Sequence, residues 1–178
     1  MLKIVTAETE TQYDQVRRLL VEHIEWDTSQ VAKMGLDARE VLDFYYASGE
    51  EELPGVYAPP EGLMLLATHS ARPAGCGAFH RMSPGICEVK RMYVRPEFRR
   101  MRIGRQLTET LIVAARRTGY GVMRLETTTF MDKAISMYSS LGFRTCPAYY
   151  VIPESFRTFT VFMELDLAAE LDLAALSK

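Results

Sequence analysis

The spacing of hydrophobic residues changes several times along the chain, and each change marks a new element. Apolar residues recur at helical spacing behind a capping box, Thr9-x-x-Gln12, which predicts a helix over residues 9–25. A second box, Asp37-x-x-Glu40, predicts a second helix. Helical spacing returns from Ile103 to a stop at Gly119, and again over residues 131–141. Runs rich in β-branched and apolar residues predict strands over residues 2–7, 63–68, 74–81, 86–94, 122–127, 148–152 and 158–165.

The order of these elements is strand, two helices, three strands, helix, strand, helix and two strands, which predicts a mixed α/β (α+β) domain. The chain has 178 residues, the size of one domain, and no domain boundary is visible in the pattern. A six-residue repeat, Glu164–Ala169 and Glu170–Ala175, is interpreted as a short helical or frayed tail. We therefore expect a single domain over residues 1–167 and a C-terminal tail over residues 168–178.

Composition narrows the class of protein. With 48% hydrophobic residues, 25% charged residues and a net charge of −2, the chain is typical of a globular protein rather than a disordered one. No apolar run approaches the ~18 residues of a membrane span, and the N-terminal apolar stretch is too short for a signal peptide. The three cysteines lack CxxC spacing, which excludes a disulfide scaffold and a zinc ribbon. We expect a cytoplasmic protein with no membrane partner and no metal.

The densest charge lies between a predicted strand and a predicted helix. Residues 90–105 hold seven of the 21 basic residues and a single acidic one, Glu97. A helix start exposes unbonded N–H groups and the positive end of the helix dipole, so phosphate oxygens bind there readily. Gly104 lets a ligand approach the backbone closely. The alternatives are a solvated basic face and a nucleic-acid patch, and the slightly acidic chain as a whole disfavours the second.

Two motifs in this region resemble the GNAT acetyltransferase superfamily. The segment from Glu88 to Leu107, with Arg99-Arg-Met-Arg-Ile-Gly104 at its centre, is similar to the family's acetyl-CoA motif of strand, Arg/Gln-x-x-Gly-x-Gly/Ala and helix. Residues 134–143, Ala-Ile-Ser-Met-Tyr-Ser-Ser-Leu-Gly-Phe, resemble the family's other characteristic helix and turn. The resemblance implies a mostly antiparallel mixed sheet of six to seven strands flanked by about four helices.

The resemblance also implies acetyl-CoA as co-substrate and direct transfer of the acetyl group to a primary amine of a small molecule, amino acid or peptide. A module that binds CoA without turnover is the alternative. The implied cofactor contacts are main-chain groups of Met92, Tyr93 and Val94 and the loop Arg99, Arg100, Met101, Arg102, Ile103, Gly104 and Arg105. Arg102 stands where the motif has its middle glycine, and Met131 stands where many members carry an asparagine.

The chemistry needs a base for the amine and an acid for the departing thiolate. By resemblance Glu88 is the candidate base and Tyr138 the candidate acid, whereas a structural salt bridge and a core aromatic are their alternative roles. Alternation along the strand places Glu88 and Lys90 on one face and Val89 and Arg91 on the other. Family precedent also allows a homodimer through C-terminal strands. The acceptor zone is expected to contain Trp26, Asp27, Tyr45, Tyr46, Tyr57, Tyr149, Tyr150 and the acidic run 50–52.

Overall fold

The computed structural model describes residues 1–33, 35, 37–46 and 53–168. The helices are α1 (Glu10–Lys33), α2 (Ala38–Val41), α3 (Ile103–Thr118) and α4 (Asp132–Ser140), and α2 continues as a π-helical turn over Leu42–Tyr46. Short 3-10 turns lie at Gly55–Tyr57, Pro96–Phe98 and Glu154–Phe156. The strands are β1 (Leu2–Thr6), β2 (Leu63–His69), β3 (Arg72–Ser83), β4 (Ile86–Val94), β5 (Val122–Thr128), β6 (Arg144–Thr145) and β7 (Thr160–Asp166).

One seven-stranded sheet runs through the molecule in the order β1-β2-β3-β4-β5-β7-β6. Consecutive strands from β1 to β4 pair antiparallel, and short turns join β2 to β3 and β3 to β4, whereas α1 and α2 lie between β1 and β2. Within the described part of the chain, β4 and β5 form the only parallel pair, because α3 carries the chain between them. The predicted fold class, a mixed and mostly antiparallel sheet with about four helices, is confirmed.

The sheet has an apolar core on each face. Leu107 and Leu111 of α3 pack on one face, together with Tyr138 and Leu141 from α4 and its end. Val16 and Leu19 of α1 are fully buried against the other face. A buried leucine or valine contributes roughly 1.5–3 kcal/mol, so the two amphipathic helices fix both sides of the sheet.

Helix α1 extends eight residues further than the sequence predicts, since it ends at Lys33 rather than residue 25. The extension contains Thr28 and Ser29, which are weak helix formers, but their hydroxyls bond back to the carbonyl oxygens of Ile24 and Trp26 at 2.8 and 2.6 Å. Val31 is also buried among aromatic residues from the C-terminal part of the chain. This tertiary contact, which local propensity does not contain, carries the helix onward.

Two predictions for the C-terminal region are wrong. Residues 148–152 form no strand, because Pro147 and Pro153 flank them; the short strand β6 lies earlier, at Arg144–Thr145. The first copy of the repeat is not a helical tail either, since its residues 164–166 belong to β7. The rest of the predicted tail, from residue 169 onward, lies outside the described residues.

Candidate active site

The candidate site lies where β4 and β5 separate. Their parallel pairing runs from Ile86↔Val122 to Val89↔Leu125 and then stops, although both strands continue. Beyond this point β4 is paired only to β3 among the described residues, so its edge facing β5 is open. A cleft of about 410 Å³ occupies the gap. An open strand edge offers main-chain donors and acceptors to an extended ligand.

A β-bulge at Arg91 changes which side chains of β4 face the cleft. The β3–β4 register shifts between Cys76 and Ala78, and Arg91 has a positive φ of 59°. The predicted alternation therefore holds only as far as Lys90. Beyond the bulge, Met92 packs with the core on the α3 face, whereas Tyr93 belongs to the core on the α1 face.

The walls of the cleft come from every layer of the fold. Helix α1, the π-helical turn and the first 3-10 turn form one wall, and β4, β5 and α4 form the other. The lining residues are His23, Trp26, Asp27, Tyr45, Val56, Tyr57, His80, Val89, Lys90, Arg91, Met92, Leu125, Glu126, Thr127, Thr128, Met131, Ala134 and Tyr138. A largely aromatic and apolar cleft with a few convergent charges is typical of a small-molecule site.

Residues 99–102 form a turn, the arginine turn, that leads from this cleft to the start of α3. Arg99, Arg100 and Arg102 have exposed side chains, and Arg99 lies with its guanidinium carbon 4.9 Å from the centre of the Trp26 ring. Arg99 also donates from Nε to the carbonyl oxygen of Val94 at 3.2 Å. The cations thus lie beside both the open edge of β4 and the N-terminus of α3, where an anionic ligand is attracted.

Two of the seven basic residues form ion pairs within the protein. Arg95 forms a bidentate pair with Glu22 of α1, at 2.8 and 2.6 Å, and also donates to the carbonyl oxygen of Pro73. Arg105 pairs with Glu109 at 2.8 Å and donates to Ser140 of α4. Arg95 therefore ties α1 to the sheet, and Arg105 ties α3 to α4.

The backbone at the start of α3 has space for a ligand. Ile103 is 1% exposed, so its side chain anchors the helix start in the core. A Cβ added at Gly104 would meet its nearest neighbours, Met137 and Val94, only at 3.8 Å, which is ordinary van der Waals contact. Packing within the protein therefore does not require a glycine there, whereas close approach of a ligand would.

Tyr138 projects from α4 into the cleft. Its side chain is 6% exposed and packs edge-on against Phe143, with ring centroids 5.6 Å apart. Burial raises the pKa of its phenol to about 12, so the hydroxyl keeps its proton at neutral pH. A protonated phenol in a cleft can donate to a departing thiolate, and the aromatic packing of the same ring also fits the core-aromatic role.

Glu88 is held by three side chains. Tyr149 donates to its Oε1 at 2.9 Å, Lys90 Nζ lies 3.2 Å from the same oxygen, and His80 Nε2 lies 3.3 Å from Oε2. Burial by itself would raise the pKa of Glu88, but the contacts with His80, Lys90 and Tyr149 lower it overall. Glu88 is 5% exposed and does not line the cleft. Its role as the base stays a prediction.

A second carboxylate, missed by the sequence reasoning, lies in the cleft itself. Lys90 Nζ is 2.5 Å from Oε1 of Glu126 on β5. Burial raises the pKa of Glu126. The signal that could have indicated it is the alternation on β5, where Met123 and Leu125 are buried on the core face and Glu126 must face the other side.

The predicted acceptor zone is assembled in part. Trp26, Asp27, Tyr45 and Tyr57 line the cleft. Tyr149 and Tyr150 do not line it but pack against Phe162 and each other beside it. The side chain of Tyr46 and the acidic run 50–52 lie outside the described residues.

The described residues also bear on metal binding and on membrane insertion. Within them, no three or more His, Cys, Asp or Glu side chains are grouped as metal ligands. No helix of the described chain has the length and apolar character needed to cross a bilayer.

Comparisons with known proteins show the family of the chain. The family model described as Acetyltransferase (GNAT) family matches residues 20–143, which include the cleft and the arginine turn. An uncharacterised N-acetyltransferase of Schizosaccharomyces pombe is 38% identical over 117 residues, covering 63% of this chain and 72% of that protein. The chain belongs to the GNAT acetyltransferase family, as the sequence motifs indicated, and is an N-acyltransferase.

Solved structures agree on the fold. An acetyltransferase of the GNAT family from Staphylococcus aureus has a TM-score of 0.66 and 16% identity, covering 94% of this chain and 99% of its own. A Bacillus subtilis acetyltransferase in complex with CoA has a TM-score of 0.58 and 17% identity, covering 93% of this chain and 99% of its own. At 16% and 17% sequence identity, the similarity to these two structures is a similarity of fold alone.

Proposed function

We propose that this protein transfers the acetyl group of acetyl-CoA to a primary amine of a small molecule, amino acid or peptide by direct attack. The observation that carries the proposal is the open edge of β4, which leads from the cleft to the arginine turn at the start of α3. One path thus joins a site for an extended chain to a site for phosphates. The Bacillus subtilis structure of the same fold contains CoA, which supports this use of the path.

The residues present fit the ligand. The space at Gly104 leaves room for a pyrophosphate beside the main chain of the helix start. The side chains of Arg99, Arg100 and Arg102 add positive charge there, while Met101 is 42% exposed. We propose that main-chain groups of residues 92–94 bind the pantetheine amides and that residues 99–105 bind the phosphates.

Acetyl-CoA supplies the activated acyl group, and the chain's own residues handle protons. The phenol of Tyr138, which keeps its proton at neutral pH, is proposed to donate to the thiolate sulfur as the carbon–sulfur bond breaks. The acceptor must lose a proton before its nitrogen can attack, and the linked carboxylates Glu88 and Glu126 are the candidate bases. The aromatic side chains Trp26, Tyr45 and Tyr57 are proposed to surround the body of the acceptor.

Cofactor binding can be tested by thermal melting. Acetyl-CoA at 100 times its Kd should stabilise the folded state by about 2.7 kcal/mol through mass action, which raises the Tm. Dephospho-CoA, which lacks the 3′-phosphate, should raise it less, and free pantetheine, which lacks every phosphate, should raise it least. An unchanged melting curve at saturating acetyl-CoA would contradict the proposal.

Turnover separates an enzyme from a module that only binds CoA. The assay follows release of free thiol from acetyl-CoA with tyramine, putrescine, alanine amide and a short peptide with a free N-terminus. We expect at least one amine to accelerate thiol release above the amine-free control. A Tm shift without release for any amine would favour the binding module.

The three cysteines bear on the location of the protein in the cell. Cys76, Cys87 and Cys146 are free thiols, and burial raises the pKa of both Cys76 and Cys87 to about 12, so neither is a reactive thiolate. Free cysteines suit a reducing compartment, and we propose the cytoplasm. A homodimer stays a prediction.

A further inference from the structure

Two carboxylates and one lysine form a linked group beside the cleft. Lys90 Nζ lies 2.5 Å from Oε1 of Glu126 and 3.2 Å from Oε1 of Glu88. Glu88 and Lys90 come from β4, and Glu126 comes from β5 just beyond the last paired residues, Val89 and Leu125. The ammonium of Lys90 therefore bridges the two strands at the point where they separate.

The two carboxylates have different surroundings. Both oxygens of Glu88 have partners, since Tyr149 and Lys90 contact Oε1 and His80 contacts Oε2. Only one oxygen of Glu126 is engaged, by Lys90, and its Oε2 is buried without a hydrogen-bond partner among the described residues. A buried carboxylate oxygen without a partner is costly, and binding a donor there would remove that cost.

The electrostatics of the surroundings separate the two acids further. Burial is the largest influence on Glu126 and raises its pKa; Lys90 opposes this effect, while Glu88 and Asp27 add to it. The pKa of Glu88 is lowered instead. When neighbouring acids have their pKa values shifted in opposite directions, the one with the raised pKa is the better proton acceptor near neutral pH.

The other groups around Glu126 fit a cation. Asp27 of α1 adds a second negative charge, and Tyr45 of the π-helical turn lies within electrostatic range of both Glu126 and Asp27. Tyr149 is also within range of Glu126 and is committed to Glu88 by its hydrogen bond. The positive charge of Lys90 is shared between two carboxylates. An ammonium in the cleft lies beside Glu126 and between aromatic walls, and the buried Oε2 can accept its hydrogen bond once the carboxylate turns toward it.

We propose that Glu126 binds the ammonium group of the acceptor through Oε2 and takes its proton, with Lys90 as the positioning residue that holds Oε1. This inference rests on the proposed acetyl transfer and assigns its base. Glu88 acts indirectly, by fixing Lys90. The acceptor class that follows is a primary amine that enters the cleft as a cation.

The proton and the bonds balance in this arrangement. The ammonium gives one proton to Oε2 of Glu126, and the neutral nitrogen forms its bond to the thioester carbonyl carbon. The carbon–sulfur bond breaks, and the thiolate takes the proton of Tyr138. The nitrogen's second proton replaces the one that Tyr138 gave, and Glu126 releases its own to solvent after the products leave.

The first test compares three glutamine variants. Glu126→Gln should lower kcat by roughly 10²–10⁴-fold, the usual effect of removing a positioned base. Glu88→Gln should lower it by less than tenfold, because Lys90 keeps its contact with Glu126. Glu164→Gln is the matched control, since Glu164 pairs with Arg124 outside the cleft, and it should retain full activity. The acceptor is whichever panel amine the wild type acetylates fastest.

The pH profile distinguishes a base from a residue of structural importance. The wild-type kcat/KM should level off once Glu126 is ionised. Without a base, only the free amine reacts, so the Glu126→Gln rate should rise tenfold per pH unit up to the amine's own pKa, roughly 10. Parallel profiles for the two proteins, or a larger loss of rate in Glu88→Gln than in Glu126→Gln, would overturn the inference.

A measurement without an acceptor keeps the two proposals apart. Because the folded state raises the pKa of Glu126, it binds that proton more tightly than the unfolded chain, and this acid costs stability as pH rises above about 4.5. The Tm of Glu126→Gln should therefore improve relative to wild type between about pH 4 and pH 7. A constant Tm difference would refute the raised pKa. If the wild type acetylates no panel amine while this shift is seen, the proposed function fails and the assignment of the proton site does not.

Discussion

At the scale of single residues, the site depends on which polar atoms are left without partners. Glu88 has every oxygen engaged, whereas Glu126 has one buried oxygen free of partners among the described residues. The hydroxyl of Tyr138 likewise makes no hydrogen bond to the described residues, and burial keeps its pKa high. Polar groups that the fold leaves unsatisfied in a cleft are available to a ligand.

Removing the Tyr138 hydroxyl should separate catalysis from stability. Tyr138→Phe keeps the ring and its contact with Phe143, so the free energy of unfolding should change by no more than about 1 kcal/mol. The rate should nevertheless fall by roughly 10²–10⁴-fold, with the loss in kcat rather than KM. Steady-state kinetics and melts on the same samples measure both quantities.

Tyr120→Phe is the matched control for this variant. Tyr120 is also buried, but its hydroxyl donates to the carbonyl oxygen of Glu61 at 2.7 Å, away from the cleft. It should lose about 1 kcal/mol of stability and no activity. A fully active Tyr138→Phe would remove the phenol from the mechanism, and a collapsed Tm would support its core-aromatic role.

At the scale of elements, the start of α3 shows how an unusual sequence keeps the turn of the family's motif. Arg102 occupies the position of the motif's middle glycine and adopts the left-handed conformation, with φ 59° and ψ 15°. Arg100 also has a positive φ, of 69°. Each such residue costs roughly 1–2 kcal/mol relative to a right-handed one. The turn is therefore held by its surroundings, among them Phe98 and Ile103, which are buried on either side of it.

Gly104 provides the prediction at this scale. Gly104→Ala should fold well, because the added Cβ meets neighbours only at 3.8 Å, and helix propensity should add up to about 1 kcal/mol of stability. Acetyl-CoA binding should weaken roughly 10- to 100-fold, since a Cβ would crowd the bound phosphates by about 1–3 kcal/mol. Calorimetry gives the Kd and melting gives the stability.

Thr110→Ala tests the specificity of that effect. Thr110 lies in the middle of α3, and its hydroxyl bonds only to the carbonyl oxygen of Gln106 within the helix. The substitution improves helix propensity without approaching the cleft, so it should raise the Tm and leave the Kd unchanged. An equally strong affinity in Gly104→Ala would show that the ligand does not approach this backbone.

At the scale of the whole molecule, the two cores meet across a single sheet whose strands separate at one place. Arg95 pairs with Glu22 and so fastens α1 beside the end of β4. Leu167, which directly follows β7, is buried. Its N–H donates to the carbonyl oxygen of Gly121 at 2.8 Å, and its carbonyl oxygen accepts from Arg116. These contacts show that the packed domain includes Leu167, and the boundary after it stays a prediction.

Truncation tests this boundary. A chain ending at Ala168 should melt at the wild-type temperature, because Leu167 keeps its contacts with Gly121 and Arg116. A chain ending at Asp166 should lose about 2–5 kcal/mol, the usual cost of deleting a buried leucine side chain. A large fall in Tm for the chain that ends at Ala168 would show that the domain extends past residue 168.

Local features of the chain were predictable because their interactions are short in sequence. The Thr9–Gln12 capping box is present, with Gln12 accepting from the Thr9 N–H at 3.0 Å, and Gly119 ends α3 with a positive φ of 93°. The arginine turn lies between β4 and α3 as its pattern of residues indicates. Periodicity and capping depend on neighbours three or four residues apart, so they can be seen without the fold.

The amino-acid sequence by itself determined the family, the order of elements and the turn at the start of α3, because local hydrogen bonds and hydrophobic periods encode them. Only the tertiary structure decided the rest. The bulge at Arg91 reverses the alternation of β4, and contacts far apart in sequence extend α1. Glu88 and Glu126 are 38 residues apart in the sequence and come together only where β4 and β5 meet. Their pKa values are shifted in opposite directions by burial and by neighbouring charges, which exist only in the folded chain.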